Sequence, residues 1–208
     1  MVNLPEGRMK SREGTVVDAD DLITEIEKMV ADKFLEMREE GMTLYTPESS
    51  EEEQERIQNI TKAAYNFYLL LPTARKDMVF DKNRSIELKG KTGPYIQYTY
   101  ARLSALIDDY TPSKLTGDYE YIAEKEVIMK LARYQDYLTM ARDAFDPSTL
   151  AQYTYQLAET VNTYYHKVPV KKEENAEIRL ARQEILAKTR ETLGKSMYLL
   201  HLPTLEKM

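Results

Sequence analysis

Hydrophobic residues recur every three or four positions along most of this chain, which is the spacing of one buried face of an α-helix. The first stripe follows Asp18 and Asp20, either of which can cap a helix start, and Gly41 ends it. A second stripe follows Ser50, which is predicted to cap a helix as the first residue of a capping box. The three glutamates after it suit the positive end of that helix, and Pro72 stops it. The first third of the chain therefore predicts two helices.

The later stripes are separated by proline and capping residues. Thr92, Gly93 and Pro94 predict the start of a third helix, with Pro94 in the first turn, where its missing N–H has no partner to lose. One long helix is predicted over residues 118–144, and Pro147 marks the start of the next. The last helix begins near Asn175 and ends at Pro203.

Together these segments predict an all-α bundle of about six helices with short connections. The region between residues 73 and 92 has no helical period. It predicts a short extended piece at 78–80 followed by a basic loop.

Composition restricts the chemistry that such a bundle can perform. The chain has no cysteine, and its two histidines, at 166 and 201, cannot form a helical metal-binding pair, so no metal site is predicted. The seven glycines cannot be arranged into either common phosphate-binding loop. No apolar run is long enough to cross a membrane and the N-terminus lacks the layout of a signal peptide, so we expect a cytoplasmic protein without a membrane partner.

The net charge of −6 is unevenly distributed along the chain. Residues 1–60 carry 7 basic and 16 acidic side chains, whereas residues 61–208 carry 22 and 19. The later part includes a basic cluster formed by Lys82, Arg84, Lys89 and Lys91. A phosphate-rich partner would be attracted to the later part and repelled by the first, although a solvated mixed surface explains the same charges without any ligand.

Three stretches of the sequence, taken in order, resemble the arginyl-tRNA synthetase family. Residues 8–17, RMKSREGTVV, resemble that family's version of the class I KMSKS loop. Residues 93–102, GPYIQYTYAR, are similar to its GPYxQYxxAR helix, and residues 155–165, YQLAETVNTYY, to its LAxxFNxFY pattern. The chain also ends in EKM at 206–208, where the family typically ends in ERM.

The resemblance implies a division into two parts. Residues 1–48 would be the tail of a class I catalytic domain with its connecting helix, and residues 49–208 a helical anticodon-binding domain of the DALR type. In the family the KMSKS-like loop stabilises the ATP triphosphate with cationic side chains. The positions of that loop are occupied here by Arg8, Met9, Lys10, Ser11 and Arg12. Arg8 replaces the usual first lysine and Lys10 the usual serine.

The whole enzyme implied by the resemblance joins arginine to its tRNA through an arginyl-adenylate, using ATP with Mg. Class I synthetases also need a His-x-Gly-His motif, which histidines at 166 and 201 cannot form. We therefore expect this chain to bind tRNA without catalysing aminoacylation, and to hold no cofactor itself.

The candidate RNA-binding residues lie beside the apolar stripes of two predicted helices. Tyr95, Tyr98 and Arg102 share one face of the helix that follows Pro94, away from its core stripe. Unpaired bases are read by aromatic rings that stack on their faces and by polar groups that bond their edges. By the resemblance, the anticodon-side positions are Tyr95, Tyr98, Tyr165 and Met208. Arg102 and Asn162 are added to these candidates because each shares a helix face with one of the tyrosines.

For these tyrosines a position wedged between helices, with the hydroxyl at the rim, is the competing interpretation. We expect that interpretation to hold for Tyr100, Tyr153 and Tyr164. The partner implied by the resemblance is the anticodon stem-loop of an arginine tRNA, with no DNA, bound by a monomer. Two alternatives stay open from the sequence: a free-standing helical module that binds RNA or protein, and a structural bundle without a ligand.

Overall fold

A computed structural model describes residues 2–3, 5, 18–39, 49–107, 122–168 and 170–208. Within these ranges the helices are α1 (Ala19–Glu39), α2 (Ser50–Leu70), α3 (Lys82–Ser85), α4 (Gly93–Leu106), α5 (Ile122–Ala132), α6 (Tyr134–Ala144), α7 (Ser148–Lys167) and α8 (Ala176–Leu199). Strands β1 (Val2–Asn3) and β2 (Met78–Val79) pair in parallel. The predicted all-α fold is confirmed. The KMSKS-like residues 8–12 and the predicted helix end at Gly41 lie outside the described residues.

Capping side chains set the starts of the helices. Asp18 accepts a hydrogen bond from the Asp20 N–H at 3.1 Å, immediately before α1. Thr92 Oγ1 accepts from the Tyr95 N–H at 3.2 Å and begins α4, while Asn175 caps α8. These starts were predicted correctly. For α2 the cap is Ser49 rather than Ser50, so that prediction was wrong by one residue.

The long helix predicted over residues 118–144 is wrong, because the chain breaks between α5 and α6 at Arg133. The Tyr153 hydroxyl, from α7, donates to the Lys130 carbonyl at 3.0 Å, and the Arg133 N–H donates to the same oxygen at 3.2 Å. A carbonyl engaged in this way ends α5. The break lets the Tyr137 ring pack on Tyr153, with ring centroids 4.7 Å apart.

Two hydrophobic clusters fill the interior. The larger lies among α4, α5, α7 and α8 and includes Tyr153, Leu157 and Leu186. The smaller lies among α1, α2 and the β2 region and includes Ile60 and Phe80. Tyr100, Tyr153 and Tyr164 are buried between helices, as predicted, but Tyr153 and Tyr164 are 0% exposed, so the prediction that their hydroxyls lie at the rim was wrong. Among the described residues, no helix combines the length and apolar character that crossing a membrane requires.

The C-terminal tail, residues 201–208, is irregular but firmly attached to the helices. The buried Gln97 amide donates to the Asn59 carbonyl at 3.1 Å and to the Pro203 carbonyl at 2.8 Å. Arg190 of α8 donates to both carboxylate oxygens of Glu206 at 2.7 Å. These contacts hold the end of the chain against α2, α4 and α8.

Helix α4 approaches α2 so closely that only glycine fits at position 93. A Cβ at Gly93 would lie 2.0 Å from the Ala63 carbonyl oxygen, which is backbone and has little room to move. At Gly194 the nearest atom to a new Cβ is a Tyr100 ring carbon at 3.2 Å. The two glycines therefore tolerate a methyl group very differently.

We predict that Gly93→Ala lowers the free energy of unfolding by about 1–3 kcal/mol, because α4 must move off α2. Gly194→Ala is the matched control. We expect it to change stability by less than about 1 kcal/mol, since a ring can shift and alanine favours the helix. Urea unfolding followed by circular dichroism measures both variants, and equal stability for the two would contradict the proposed close contact.

A buried ion-pair network joins α5 to α8. The Arg182 side chain is 4% exposed and donates to Glu124, itself 2% exposed, at 2.8 Å. It also donates to Glu173 at 2.6 Å, in the segment before α8. Because a buried carboxylate that loses its cation is strongly destabilising, this arginine has a structural role.

We predict that Arg182→Met destabilises the fold by about 3–5 kcal/mol, since the Glu124 carboxylate stays buried without its guanidinium. The control is Arg142→Met, which removes an ion pair to Asp143 on the solvent-exposed surface of α6. We expect that control to cost less than about 1 kcal/mol. A similar loss for the two variants in thermal or urea unfolding would argue against a structural role for the buried network.

Candidate nucleic-acid interface

Arg102 is the centre of the candidate site. Its guanidinium carbon lies 4.9 Å from the Tyr98 ring centroid and 5.5 Å from that of Tyr165. Its Nη2 also donates to the Tyr98 hydroxyl at 2.9 Å. Tyr98 and Arg102 meet because they are four residues apart on α4, and Tyr165 reaches them from α7.

Asn162 of α7 joins the same group by hydrogen bonds. Its Nδ2 donates to the Tyr95 hydroxyl at 2.9 Å and to Thr99 Oγ1 at 2.8 Å. Its Oδ1 accepts from Arg102 Nη1 at 3.4 Å. The amide therefore bridges α7 to two successive turns of α4 and fixes the positions of the side chains around it.

Five of the six candidate residues thus form one contiguous group, which we call the tyrosine–arginine cluster: Tyr95, Tyr98, Arg102, Asn162 and Tyr165. All five are half-buried. Tyr95 and Tyr165 pack in part on the larger hydrophobic cluster, so the interpretation of wedged rings holds for part of each ring. Each of the five side chains still exposes some surface to solvent, as contact with a base requires.

The surroundings of the Tyr95 hydroxyl raise its pKa above the ordinary value. Burial raises the pKa of Tyr95, and the carboxylate of Glu159 acts in the same direction. The hydrogen bond from Asn162 and the charge of Arg102 oppose that rise in pKa without cancelling it. The cluster presents tyrosine hydroxyls beside one cation, a combination suited to the polar edges and negative backbone of RNA.

Met208, the sixth candidate, lies beside the tyrosine–arginine cluster. With Tyr98 and Arg102 it borders an open pocket of about 360 Å³ between α4 and the tail. The other side of Met208 packs on the smaller hydrophobic cluster. The attachment of the tail through Gln97 and Glu206 therefore places the last residue at the edge of the cluster.

Three further residues contact the cluster or its neighbours: Tyr155, Lys91 and Thr99. None of them was predicted from the sequence to belong to the site. The Tyr155 ring packs beside that of Tyr95, with centroids 5.7 Å apart, and Lys91 lies over Tyr155. Thr99 could have been found from its spacing, because it lies one helical turn after Tyr95. In the part of the chain that the structure describes, His, Asp and Glu side chains nowhere gather in a group of three that could hold a metal ion.

Curated relatives extend over the whole chain. It is 33% identical over 214 aligned positions to a protein named arginine--tRNA ligase from Borrelia duttonii, covering all of this chain and 35% of that protein. It is 36% identical to the protein of the same name from Porphyromonas gingivalis, with the same coverage. The chain thus spans about a third of the length of these relatives.

Solved structures share the fold. The Thermus thermophilus arginyl-tRNA synthetase superimposes with a TM-score of 0.84 at 22% identity, covering all of this chain and 34% of that one. The Plasmodium falciparum arginyl-tRNA synthetase gives a TM-score of 0.77 at 22% identity, covering 92% of this chain and 34% of that one.

The family described as the DALR anticodon binding domain matches residues 96–208. That match includes most of α4 and all of α5 to α8, together with the tail. The resemblance seen in the sequence is confirmed, while the predicted division after residue 48 and the assigned site residues stay predictions. This chain belongs to the DALR anticodon-binding domain family.

Proposed function

We propose that this chain binds the anticodon stem-loop of an arginine tRNA through the tyrosine–arginine cluster. The observation that carries the proposal is the position of Arg102 between two half-exposed tyrosine rings, at the edge of an open pocket. Membership of an anticodon-binding family and the arginine ligase names of the relatives support the same partner.

The cluster offers each kind of contact that unpaired nucleotides use. The rings of Tyr98 and Tyr165 provide flat surfaces on which bases stack, and stacking of this kind tolerates different bases. Arg102 adds a cation with several fixed donors, which suits phosphate oxygens and base edges. Asn162 and the Tyr95 hydroxyl add neutral polar groups, and these favour particular base edges.

The pocket beside Met208 supplies the remaining feature of a base-binding site. The Met208 thioether and the Tyr98 ring both line the pocket, and both suit a flat aromatic ligand. Lys207 also lines this pocket and adds a positive charge, while Glu206, which lines it too, is paired with Arg190. A base turned out of the anticodon loop would therefore find both apolar contact and a cation there.

The whole reaction belongs to a longer protein of the kind that the relatives represent. In our proposal that protein joins arginine to tRNA with ATP and Mg, acts in the cytoplasm as a monomer, and does not bind DNA. The KMSKS-like residues Arg8, Lys10 and Arg12 would face the ATP triphosphate, and this chain would supply tRNA recognition.

We predict that Tyr98→Ala weakens binding of an arginine tRNA transcript by about 10- to 100-fold, because one stacked base loses its ring. Tyr198→Ala is the control, since Tyr198 is 81% exposed on α8 and lies outside the cluster. We expect it to bind as the wild-type chain does. Fluorescence anisotropy at low salt measures the affinities, together with a transcript whose anticodon bases are replaced.

Each contrary outcome of that titration has a distinct meaning. Equal affinity for the replaced anticodon would favour a helical module that binds RNA without reading it. Equal loss in the two tyrosine variants would remove the special role of the cluster. Absence of binding at low salt would contradict the proposed function altogether.

We also predict that the chain alone does not exchange radiolabelled pyrophosphate into ATP in the presence of arginine. The physical reason is that the histidines at 166 and 201 cannot form the His-x-Gly-His motif that class I synthetases need for their ATP site. An intact arginyl-tRNA synthetase run in parallel serves as the positive control. Measurable exchange by the chain would show that its adenylation chemistry resides in residues we have not identified.

A further inference from the structure

Lys91 lies beside the tyrosine–arginine cluster, but it is not part of it. Its Nζ is 5.6 Å from the centroid of the Tyr155 ring, and that ring lies 5.7 Å from the ring of Tyr95. Lys91 itself is exposed, whereas Tyr155 is only 8% exposed. An ammonium held against a buried ring occupies a more defined position than an ordinary surface lysine.

The Tyr155 ring that Lys91 contacts is held in place by a hydrogen bond. The Tyr155 hydroxyl donates to Glu159 Oε1 at 2.8 Å, one helical turn along α7. Burial raises the pKa of Tyr155 to about 12, and the hydrogen bond with Glu159 acts in the same direction. The ring therefore provides a stationary support.

The backbone around Lys91 is also fixed. Gly90, just before it, has a φ of +79°, a conformation that side chains other than glycine rarely adopt. The Thr92 N–H donates to the Gly90 carbonyl at 3.1 Å, and Thr92 Oγ1 donates to the Glu87 carbonyl at 2.5 Å. Lys91 is thus held between a tight turn and the N-cap of α4.

Within the described ranges Lys91 forms no ion pair, in contrast to Lys82, which pairs with Glu25 at 2.7 Å. Lys91 and Arg102 lie toward opposite ends of α4, separated by on the order of 15 Å along its axis. Tyr95 lies between them. Two cations separated by an aromatic surface match the alternation of phosphate and base along an RNA strand.

We propose that Lys91 binds a backbone phosphate of the RNA and extends the tyrosine–arginine cluster across Tyr95 toward the basic loop. This inference rests on the proposed function, because it assigns a further contact to the same partner. Tyr155 is a positioning residue in this arrangement, since it holds the ammonium without touching the RNA. Glu159, whose carboxylate accepts the hydrogen bond of the Tyr155 hydroxyl, opposes an approaching phosphate.

The test compares Lys91→Gln with Lys89→Gln in the full chain, using an arginine tRNA transcript titrated over a series of salt concentrations. Loss of one phosphate contact should reduce the slope of log affinity against log salt by about 0.7–0.9 and weaken binding several-fold at low salt. Lys89 is an exposed lysine two residues away in the same loop, so its variant reports the effect of diffuse charge alone.

Two further variants test the same contact, and the first of them should change the affinity for RNA in the opposite direction. Glu159→Gln keeps an acceptor for the Tyr155 hydroxyl but removes a negative charge, so it should strengthen binding. Tyr155→Leu removes the ring and should weaken binding about as much as Lys91→Gln. If Tyr155→Leu fails to fold, the Lys91, Lys89 and Glu159 variants still decide the question, because these side chains are exposed.

The outcomes separate this inference from the proposed function. If the wild-type chain binds and Tyr98→Ala weakens it, an unchanged salt slope for Lys91→Gln would overturn the phosphate contact alone. Equal slopes for the Lys91 and Lys89 variants would also overturn it, because the charge would then act diffusely. If the wild-type chain does not bind tRNA at low salt, both proposals fail together.

Discussion

The buried amide of Gln97 fixes the arrangement on which the candidate interface depends. It is fully enclosed, and it donates to a carbonyl of α2 at Asn59 and to a carbonyl of the tail at Pro203. A buried donor that loses its acceptor costs about 1–3 kcal/mol, so a slip of α4 against either partner is strongly disfavoured. Because α4 also carries Tyr98 and Arg102, and the tail carries Met208, this amide sets the relative position of three interface side chains without touching solvent.

The interface combines this fixed arrangement of α2, α4 and the tail with side chains that retain accessible surface. Arg102 is held by two rings and by hydrogen bonds to Tyr98 and Asn162, so it has little rotamer freedom left to lose when a ligand arrives. The same hydrogen bonds use only some of its donors, since a guanidinium carries five N–H groups. Preorganisation and remaining hydrogen-bonding capacity therefore occur in the same residue. A lysine at this position would keep the charge but lose the planar fork that the rings support.

Capping residues and residue spacing in the sequence predicted the helix starts and the shared helix face, because neighbouring residues determine both. Thr92 and Asn175 cap their helices where expected, and the spacing of Tyr95, Tyr98 and Arg102 predicted their common face. The break between α5 and α6 was missed because the hydroxyl that engages the Lys130 carbonyl belongs to a residue more than twenty positions away. The contact of Asn162 and Tyr165 with α4 likewise depends on how two helices cross, which periodicity does not encode; the resemblance supplied that pairing. Neither the helical periodicity nor the family resemblance indicated the contact between Lys91 and the Tyr155 ring.

The charge distribution constrains how such an interface can act. With a net charge of −6, the chain as a whole repels RNA at long range. Some of the acids on α1 and α2 are paired, as Glu25 is with Lys82 and Glu53 with Arg38. Attraction must therefore develop at short range, where stacking and a few positioned cations outweigh the repulsion from the net negative charge. Contacts of this kind depend on the base presented and on its exact position. Nonspecific binding to duplex backbones draws on summed charge, which this chain lacks. The acidic surface thus disfavours the wrong ligands while the tyrosine–arginine cluster favours unpaired nucleotides, so discrimination arises from the contrast between the two.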